Sequence, residues 1–200
     1  MTEDLGKIPL RILICCEGKE TEPQYFDMVA NLFRVAVRVN VKIFGNRGQH
    51  IKLVDSAVQL RLQIISQDGL ADDEIEAWAV CDHDEMHVTI SELEAYAIKN
   101  NVKLAFTNPN FEVFLLQHFT RSATNASNTE LRKLISAEMK ARKIASGYSK
   151  NDLTHFRTII SNDPQLVHDA VSNSKHMEDR DNTPYTTVHL LVNRLIELGP

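Results

Sequence analysis

Four apolar runs, separated by helical patterns, organise the first 120 residues of the chain. Residues 10–16 and 75–81 are apolar over most of their length, as central strands of a parallel sheet tend to be. Residues 37–43 alternate between apolar and polar side chains, which predicts a strand with one solvent-exposed face at the sheet edge. Residues 102–106 predict a fourth strand. Strands that alternate with helices favour an α/β fold with a mostly parallel sheet and helices on both faces.

The helices between these strands are predicted from caps and apolar stripes. Thr21 and Gln24 have the spacing of a capping box, with Pro23 in the first turn. Asn108 before Pro109 predicts another helix start, with Asn108 as the N-cap. The second helix is expected to bury one stripe of apolar side chains: Ile51, Val54, Val58, Leu62 and Ile65.

The second half of the chain has a different pattern. A polar stretch of small residues at 120–128 indicates a linker or an excursion, and it is followed only by helical patterns. We therefore expect an α/β domain over residues 1–120 and a helical C-terminal region, 121–200, packed on it. The helical patterns cover about 130–145, 152–161, 164–174 and 186–198.

The composition of the chain limits the partners and the cellular location that can be expected. The chain has 200 residues, 43% of them hydrophobic, and a formal charge of −5. This charge excludes a generally basic surface, so a nucleic-acid partner would have to bind through local patches or bridging metal ions. The three cysteines all lie in predicted strands, which favours structural thiols and a reducing compartment. With no membrane-spanning stretch and an acidic start, a cytoplasmic location is expected.

Acidic residues follow the two most apolar runs. Glu17 ends the first run, and Asp82 and Asp84 end the third at alternate positions that point to the same side. Because ligands of open sheets bind beyond the carboxyl ends of the strands, these three acids are expected to meet there. The ligands are all oxygen, and no His/Cys cluster has zinc spacing, so Mg²⁺ or Mn²⁺ is the expected cation. The alternative is a solvated loop at Asp82 and Asp84 and a surface acid at Glu17.

These motifs resemble known proteins. The strand followed by Glu17 and Gly18, with the later Asp82-x-Asp84, resembles the Toprim fold of topoisomerases, primases and related nucleases. Three longer segments resemble the RloB family. They are residues 16–23, 107–119 and 184–192, which read CEGKETEP, TNPNFEVFLLQHF and PYTTVHLLV.

This resemblance implies a Toprim-like, Rossmann-like domain and a nuclease of RNA or DNA that serves phage defence, often beside an ABC-class ATPase. By motif position, Glu17 would be the acid/base or metal-holding glutamate, and Asp82 and Asp84 the magnesium ligands. Two positions depart from the family pattern: His83 stands where relatives often have a basic residue, and Phe114 where tryptophan is common. The chain could also form a homo-oligomer, and the sequence leaves its oligomeric state open.

Further candidates lie close to these motifs. Second-shell or second-metal roles are considered for Glu22, Glu85 and Glu112. Phosphate or substrate contacts are considered for the basic and imidazole side chains Lys19, His83 and Lys150. Residues 132–143 carry the main concentration of positive charge, which fits either a nucleic-acid footprint or an ordinary polar helix face.

Two other functions compete with the nuclease. The chain could be a non-catalytic regulatory or docking subunit of an ABC-class ATPase defence complex, since fold does not dictate function. A haloacid-dehalogenase-like phosphatase is less favoured, because that chemistry needs its DxD after the first strand, where this chain has Glu17.

Overall fold

The computed structural model describes residues 11–83, 87–121, 126–143, 147–177 and 184–200. Within these ranges it contains five strands and eight α-helices. The strands are β1 Arg11–Cys16, β2 Asn40–Phe44, β3 Ile75–Asp82, β4 Lys103–Asn108 and β5 Tyr185–Thr186. The helices are α1 Thr21–Leu32, α2 His50–Asp68, α3 Ile90–Lys99, α4 Glu112–Leu116, α5 Asn128–Ala141, α6 Thr154–Asn162, α7 Gln165–Ser174 and α8 Val188–Leu198.

The strands form one sheet in the order β2-β1-β3-β4-β5, in which only β5 runs antiparallel. This confirms the expected α/β fold with a mostly parallel sheet. The chain moves outward from β1 to β2 and then crosses back to β3 on the other side of β1. Because such crossovers are right-handed, α1 and α2 cover opposite faces of the sheet. The topological switch point therefore lies between β1 and β3.

The central strands are buried as their apolar runs predict. Every residue of β1 after Arg11 is buried, whereas β2 at the edge is only half-buried, which confirms its predicted place. Cys15, Cys16 and Cys81 are free thiols inside this sheet. No helix within the described residues is long and apolar enough to cross a membrane.

An aromatic cluster joins the first half of the chain to the second. The Tyr25 ring lies edge-on to Phe111, Phe114 and His118, with ring centroids 5.5–5.6 Å apart, and Phe156 of α6 packs against His118 at 5.1 Å. The Tyr25 hydroxyl is 3.0 Å from Nε2 of His118. Burial lowers the pKa of His118 to about 4, so this imidazole is neutral in the core at neutral pH.

Three local predictions are wrong, and two of them have the same cause. The proposed capping box does not form, because the Thr21 hydroxyl donates to the Lys150 carbonyl and Gln24 bonds to Asn151 and Leu153. Asn108 is not an N-cap either. It ends β4 and pairs with Tyr185 of β5, and the next helix begins at Glu112. In both places, residues that are distant in sequence form the hydrogen bonds, and the local pattern had predicted that the same residues would cap a helix.

The buried face of α2 also differs from the expected stripe. Leu62 is 55% exposed, whereas Arg61 is buried and forms an ion pair with Asp72 at 2.6 Å. The apolar residues that α2 does bury are Leu53, Val54, Ala57 and Ile64. A buried arginine with a carboxylate partner shifts the stripe by about one position, and hydrophobic periodicity cannot show this.

Candidate active site at the carboxyl edge of the sheet

A cleft of about 420 Å³ opens beyond the carboxyl ends of β1 and β3, at the switch point of the sheet. This is where open α/β sheets bind their ligands. Its walls come from the turn after β1, the start of α1, the loop between β2 and α2, the end of β3 and the segment before α6. The lining residues are Glu17, Gly18, Lys19, Glu20, Thr21, Glu22, Asn46, Gly48, Gln49, Asp82, Lys150 and Asn151.

Glu17 is positioned by the sheet and by the loop before α2. Its backbone N–H donates to the Val80 carbonyl of β3 at 3.0 Å, which continues the β1–β3 pairing by one residue. Gln49 donates its side-chain N–H to Oε1 of Glu17 at 3.0 Å. The Glu17 carboxylate is thus oriented from a second wall of the cleft, and Gln49 is a residue that sequence patterns did not single out.

Asp82 ends β3 and is held from both sides. The Thr107 hydroxyl of the adjacent strand β4 donates to Oδ1 of Asp82. Nε2 of His50, the first residue of α2, lies 3.2 Å from the Asp82 carbonyl oxygen. Burial raises the pKa of Asp82 well above its usual range, and the nearby charges of Glu22, Glu17 and Glu112 raise it further, while the hydrogen bond from Thr107 lowers it.

Glu22 brings a further carboxylate into this site. It lies in the first turn of α1 and is only 6% exposed. Its carboxylate packs so closely on Gly18 that a Cβ at that position would overlap it, which explains the glycine after Glu17. Burial raises the pKa of Glu22. The charges of Glu112 and Glu17 raise this pKa further, whereas the charge of Lys150 lowers it. Glu22 therefore belongs to the same electrostatic cluster as Asp82.

Glu112, at the start of α4, is the most buried acid of the group at 1% exposure. The guanidinium of Arg132 on α5 pairs with it at 3.1 Å. Burial is the main cause that raises the pKa of the Tyr148 phenol, and the nearby charge of Glu112 raises it further. Arg132 thus compensates a negative charge that would otherwise be buried without a cation beside it.

The structure places the three candidate phosphate contacts in different positions. Lys19 and Lys150 both line the cleft. The Lys19 side chain is 78% exposed and lies 3.7 Å from Glu20. The backbone at Lys150 is anchored by Thr21, so a segment of the second half closes one wall of the cleft. His83 does not line the cleft; it is exposed and packs its ring on Phe106 at 6.1 Å.

The structure brings together Glu17, Glu22 and Asp82, and Glu112 lies close enough for its charge to act on Asp82 and Glu22. Asp84 and Glu85 lie outside the described residues. Across the described ranges, no group of three or more His, Cys, Asp or Glu side chains has the geometry of a metal site. The donors around the cleft are nonetheless all oxygen, which is the set that Mg²⁺ and Mn²⁺ prefer.

Thr107 and His50 are further site residues that motif reasoning missed. Thr107 has a readable signal, because it ends the strand that follows the Asp82 strand and the carboxyl ends of parallel strands meet at one edge. His50 has none, because only the folded chain brings the start of α2 against the Asp82 carbonyl.

Fold and cleft together define an α/β protein with a carboxylate-rich site at the switch point of a mostly parallel sheet. The chain belongs to the RloB-like family, since the family model described as RloB-like protein matches residues 12–195. No curated protein and no solved structure matches it.

Proposed function

We propose that this protein is a Mg²⁺- or Mn²⁺-dependent nuclease of the Toprim type, which cleaves phosphodiester bonds of RNA or DNA as the effector of an anti-phage defence module. The observation that carries the proposal is the meeting of Glu17 and Asp82 in one cleft at the switch point. The defence role and an ABC-class ATPase partner rest on the RloB-like resemblance alone.

The residues present fit a divalent cation. Several carboxylates share this edge of the sheet, and their repulsion contributes to the raised pKa of Asp82 and Glu22. Glu17 and Asp82 would hold the cation, with Asp84 as the third ligand that motif position implies. A bound Mg²⁺ would neutralise the scissile phosphate and stabilise the leaving oxygen.

The chain's own groups supply the remaining chemistry. If Glu17 does not bind the cation itself, it is the candidate base for the nucleophile's proton, and Gln49 fixes its orientation. Thr107 fixes the Asp82 carboxylate. Lys19 and Lys150, on the cleft wall, are the candidate contacts to phosphate oxygens.

A cleavage assay tests the proposal. End-labelled RNA and DNA pools are incubated with the parent, Asp82→Asn and Asp27→Asn in Mg²⁺, Mn²⁺ or chelator. Asp27 is an exposed carboxylate paired with Arg157, so its variant controls for the loss of one charge. We expect metal-dependent cleavage by the parent and Asp27→Asn, and a loss of more than about 100-fold in Asp82→Asn, the upper range for groups that support a metal. Equal cleavage by all three proteins would refute the assignment.

A non-catalytic docking subunit of an ATPase complex is the second candidate. It is favoured by His83, which stands where relatives often have a basic residue and does not line the cleft, and fold alone does not dictate function. A parent protein that binds neither Mg²⁺ nor Mn²⁺ in isothermal titration and cleaves no nucleic acid would support this alternative.

A further inference from the structure

One exposed face of α5 forms a basic groove of about 490 Å³, which we name the α5 groove. It is lined by residues at helical i, i+3, i+4 spacing: Thr129, Arg132, Lys133, Ser136, Ala137 and Lys140. The set contains three cations and no acid. In a protein of net charge −5, this is a local reversal of sign.

The two lysines of the α5 groove point to solvent. Across the described part of the chain, neither Lys133 nor Lys140 forms an ion pair with a carboxylate. The two acids of α5 have other partners. Glu130 accepts a hydrogen bond from the Ser127 hydroxyl at 2.7 Å, and Glu138 pairs with Arg142 at 2.7 Å. Among the causes that shift the pKa of Glu130, the charge of Lys133 is the smallest.

The α5 groove is connected to the acidic cleft through residues that lie between them. Arg132 lines the groove and also pairs with Glu112, whose charge acts on Asp82. Ser136, at the floor of the groove, accepts a hydrogen bond from the Tyr148 backbone at 2.9 Å. Two residues further along the chain, Lys150 lines the cleft. The segment 148–150 therefore connects the two surfaces, because it bonds to Ser136 at one end and lines the cleft at the other.

We infer that the α5 groove binds the phosphate backbone of the nucleic acid that enters the cleft. This inference deepens the proposed function and rests on it. The cleft is lined by several carboxylates and by only two cations, Lys19 and Lys150, so it attracts a polyanion weakly, and cations outside it are expected to supply much of the affinity for nucleic acid. Lys133 and Lys140 lie about 10 Å apart along the helix axis at 1.5 Å per residue, so the two ammonium groups can contact two different phosphates of one strand. The small side chains of Ser136 and Ala137 between them leave room for the strand.

A binding assay tests this without relying on cleavage. Fluorescence anisotropy measures the affinity of labelled single-stranded RNA and DNA oligonucleotides for Asp82→Asn protein, across a salt series. The test variant adds Lys133→Gln and Lys140→Gln, which keep helix propensity. The matched control adds Lys99→Gln and Lys175→Gln, which remove the same charge from exposed lysines outside the cleft and the α5 groove.

We expect the groove variant to bind about tenfold more weakly at low salt than the control, with the slope of log affinity against log salt reduced by about 1.5 for two lost phosphate contacts. The inference would be overturned by equal affinities and slopes in the groove and control variants. It would also be overturned if the protein with only the Asp82→Asn substitution bound no nucleic acid. Nucleic acid that binds through the groove but is not cleaved by the wild-type protein would instead refute the nuclease proposal alone.

Discussion

The acidic cleft and the α5 groove carry opposite charges and hold them in opposite ways. Glu22 in the cleft and Glu112 near it are 6% and 1% exposed, and both raise the pKa of Asp82. In the groove, Lys133 and Lys140 are exposed to water and salt. Buried charges interact strongly and specifically, whereas exposed charges are screened. A protein of negative net charge can thus separate candidate metal chemistry from backbone binding.

Arg132 links the α5 groove to the buried acid whose charge acts on Asp82. It lies in the α5 groove and pairs with the buried Glu112. The comparison therefore predicts that substitutions on the two sides of Arg132 affect different properties. Changes in the cleft should alter turnover, changes at Arg132 should alter folding, and changes further along α5 should alter the affinity for nucleic acid.

The largest effect is expected from removing the support of Asp82. Thr107→Val deletes the hydroxyl that donates to Asp82 while keeping the shape of this fully buried side chain. Groups that orient a metal ligand typically contribute 10–100-fold, so cleavage should fall by about that factor. The metal-dependent cleavage rate is the measurement. Thr107→Ser retains the hydroxyl and serves as the control; a rate in Thr107→Val equal to that of Thr107→Ser would contradict the role.

An intermediate effect is expected at Arg132. Arg132→Met keeps length and helix propensity but leaves the buried Glu112 without its cation. The free energy of unfolding should fall by about 2 kcal/mol, the lower end for a broken buried pair, because the Arg132 side chain is itself 41% exposed. Lys133→Met on the same helix should change it by less than about 0.5 kcal/mol. Urea denaturation of both variants measures the difference, and a double variant with Glu112→Gln should recover part of the loss. Equal stabilities in the two single variants would show that Arg132 is only a surface cation.

The smallest effect concerns the cap of α5. Ser127 and Glu130 form a capping box, and the Ser127 hydroxyl and backbone N–H lower the pKa of Glu130. A lowered pKa in the folded state means that the stabilisation is present above the unfolded value, near 4.3, and is lost as the pH falls through the folded value. Glu130→Gln should therefore be less stable than the parent at pH 7, with the difference vanishing at acid pH. Thermal unfolding at several pH values measures this, and a difference that is independent of pH would contradict it.

Much of the sheet and the core of the site could be predicted from the sequence. The apolar runs before Glu17 and Asp82 are strong signals, since strands buried on both faces need continuous apolar residues. Parallel pairing then brings the residues after each strand to one edge. These two acids could therefore be placed together from local patterns and general sheet topology.

The features that failed depend on contacts between distant residues. Thr21 and Gln24 look like a capping box, but the segment at 150–153 takes their side chains. Asn108 looks like an N-cap, but β5 pairs with it from the far end of the chain. The two-residue strand β5 has no periodicity of its own to reveal it. Local propensity gave way to tertiary contacts in each case.

The most direct test of the central claim is isothermal titration of Mn²⁺ into the parent, Glu17→Gln, Asp82→Asn and the surface control Asp27→Asn. If Glu17 and Asp82 share a cation, the parent and Asp27→Asn bind Mn²⁺ alike, and each of the two cleft variants loses at least about tenfold in affinity. A parent that binds no Mn²⁺, or cleft variants that bind it as tightly as the parent, would contradict the account.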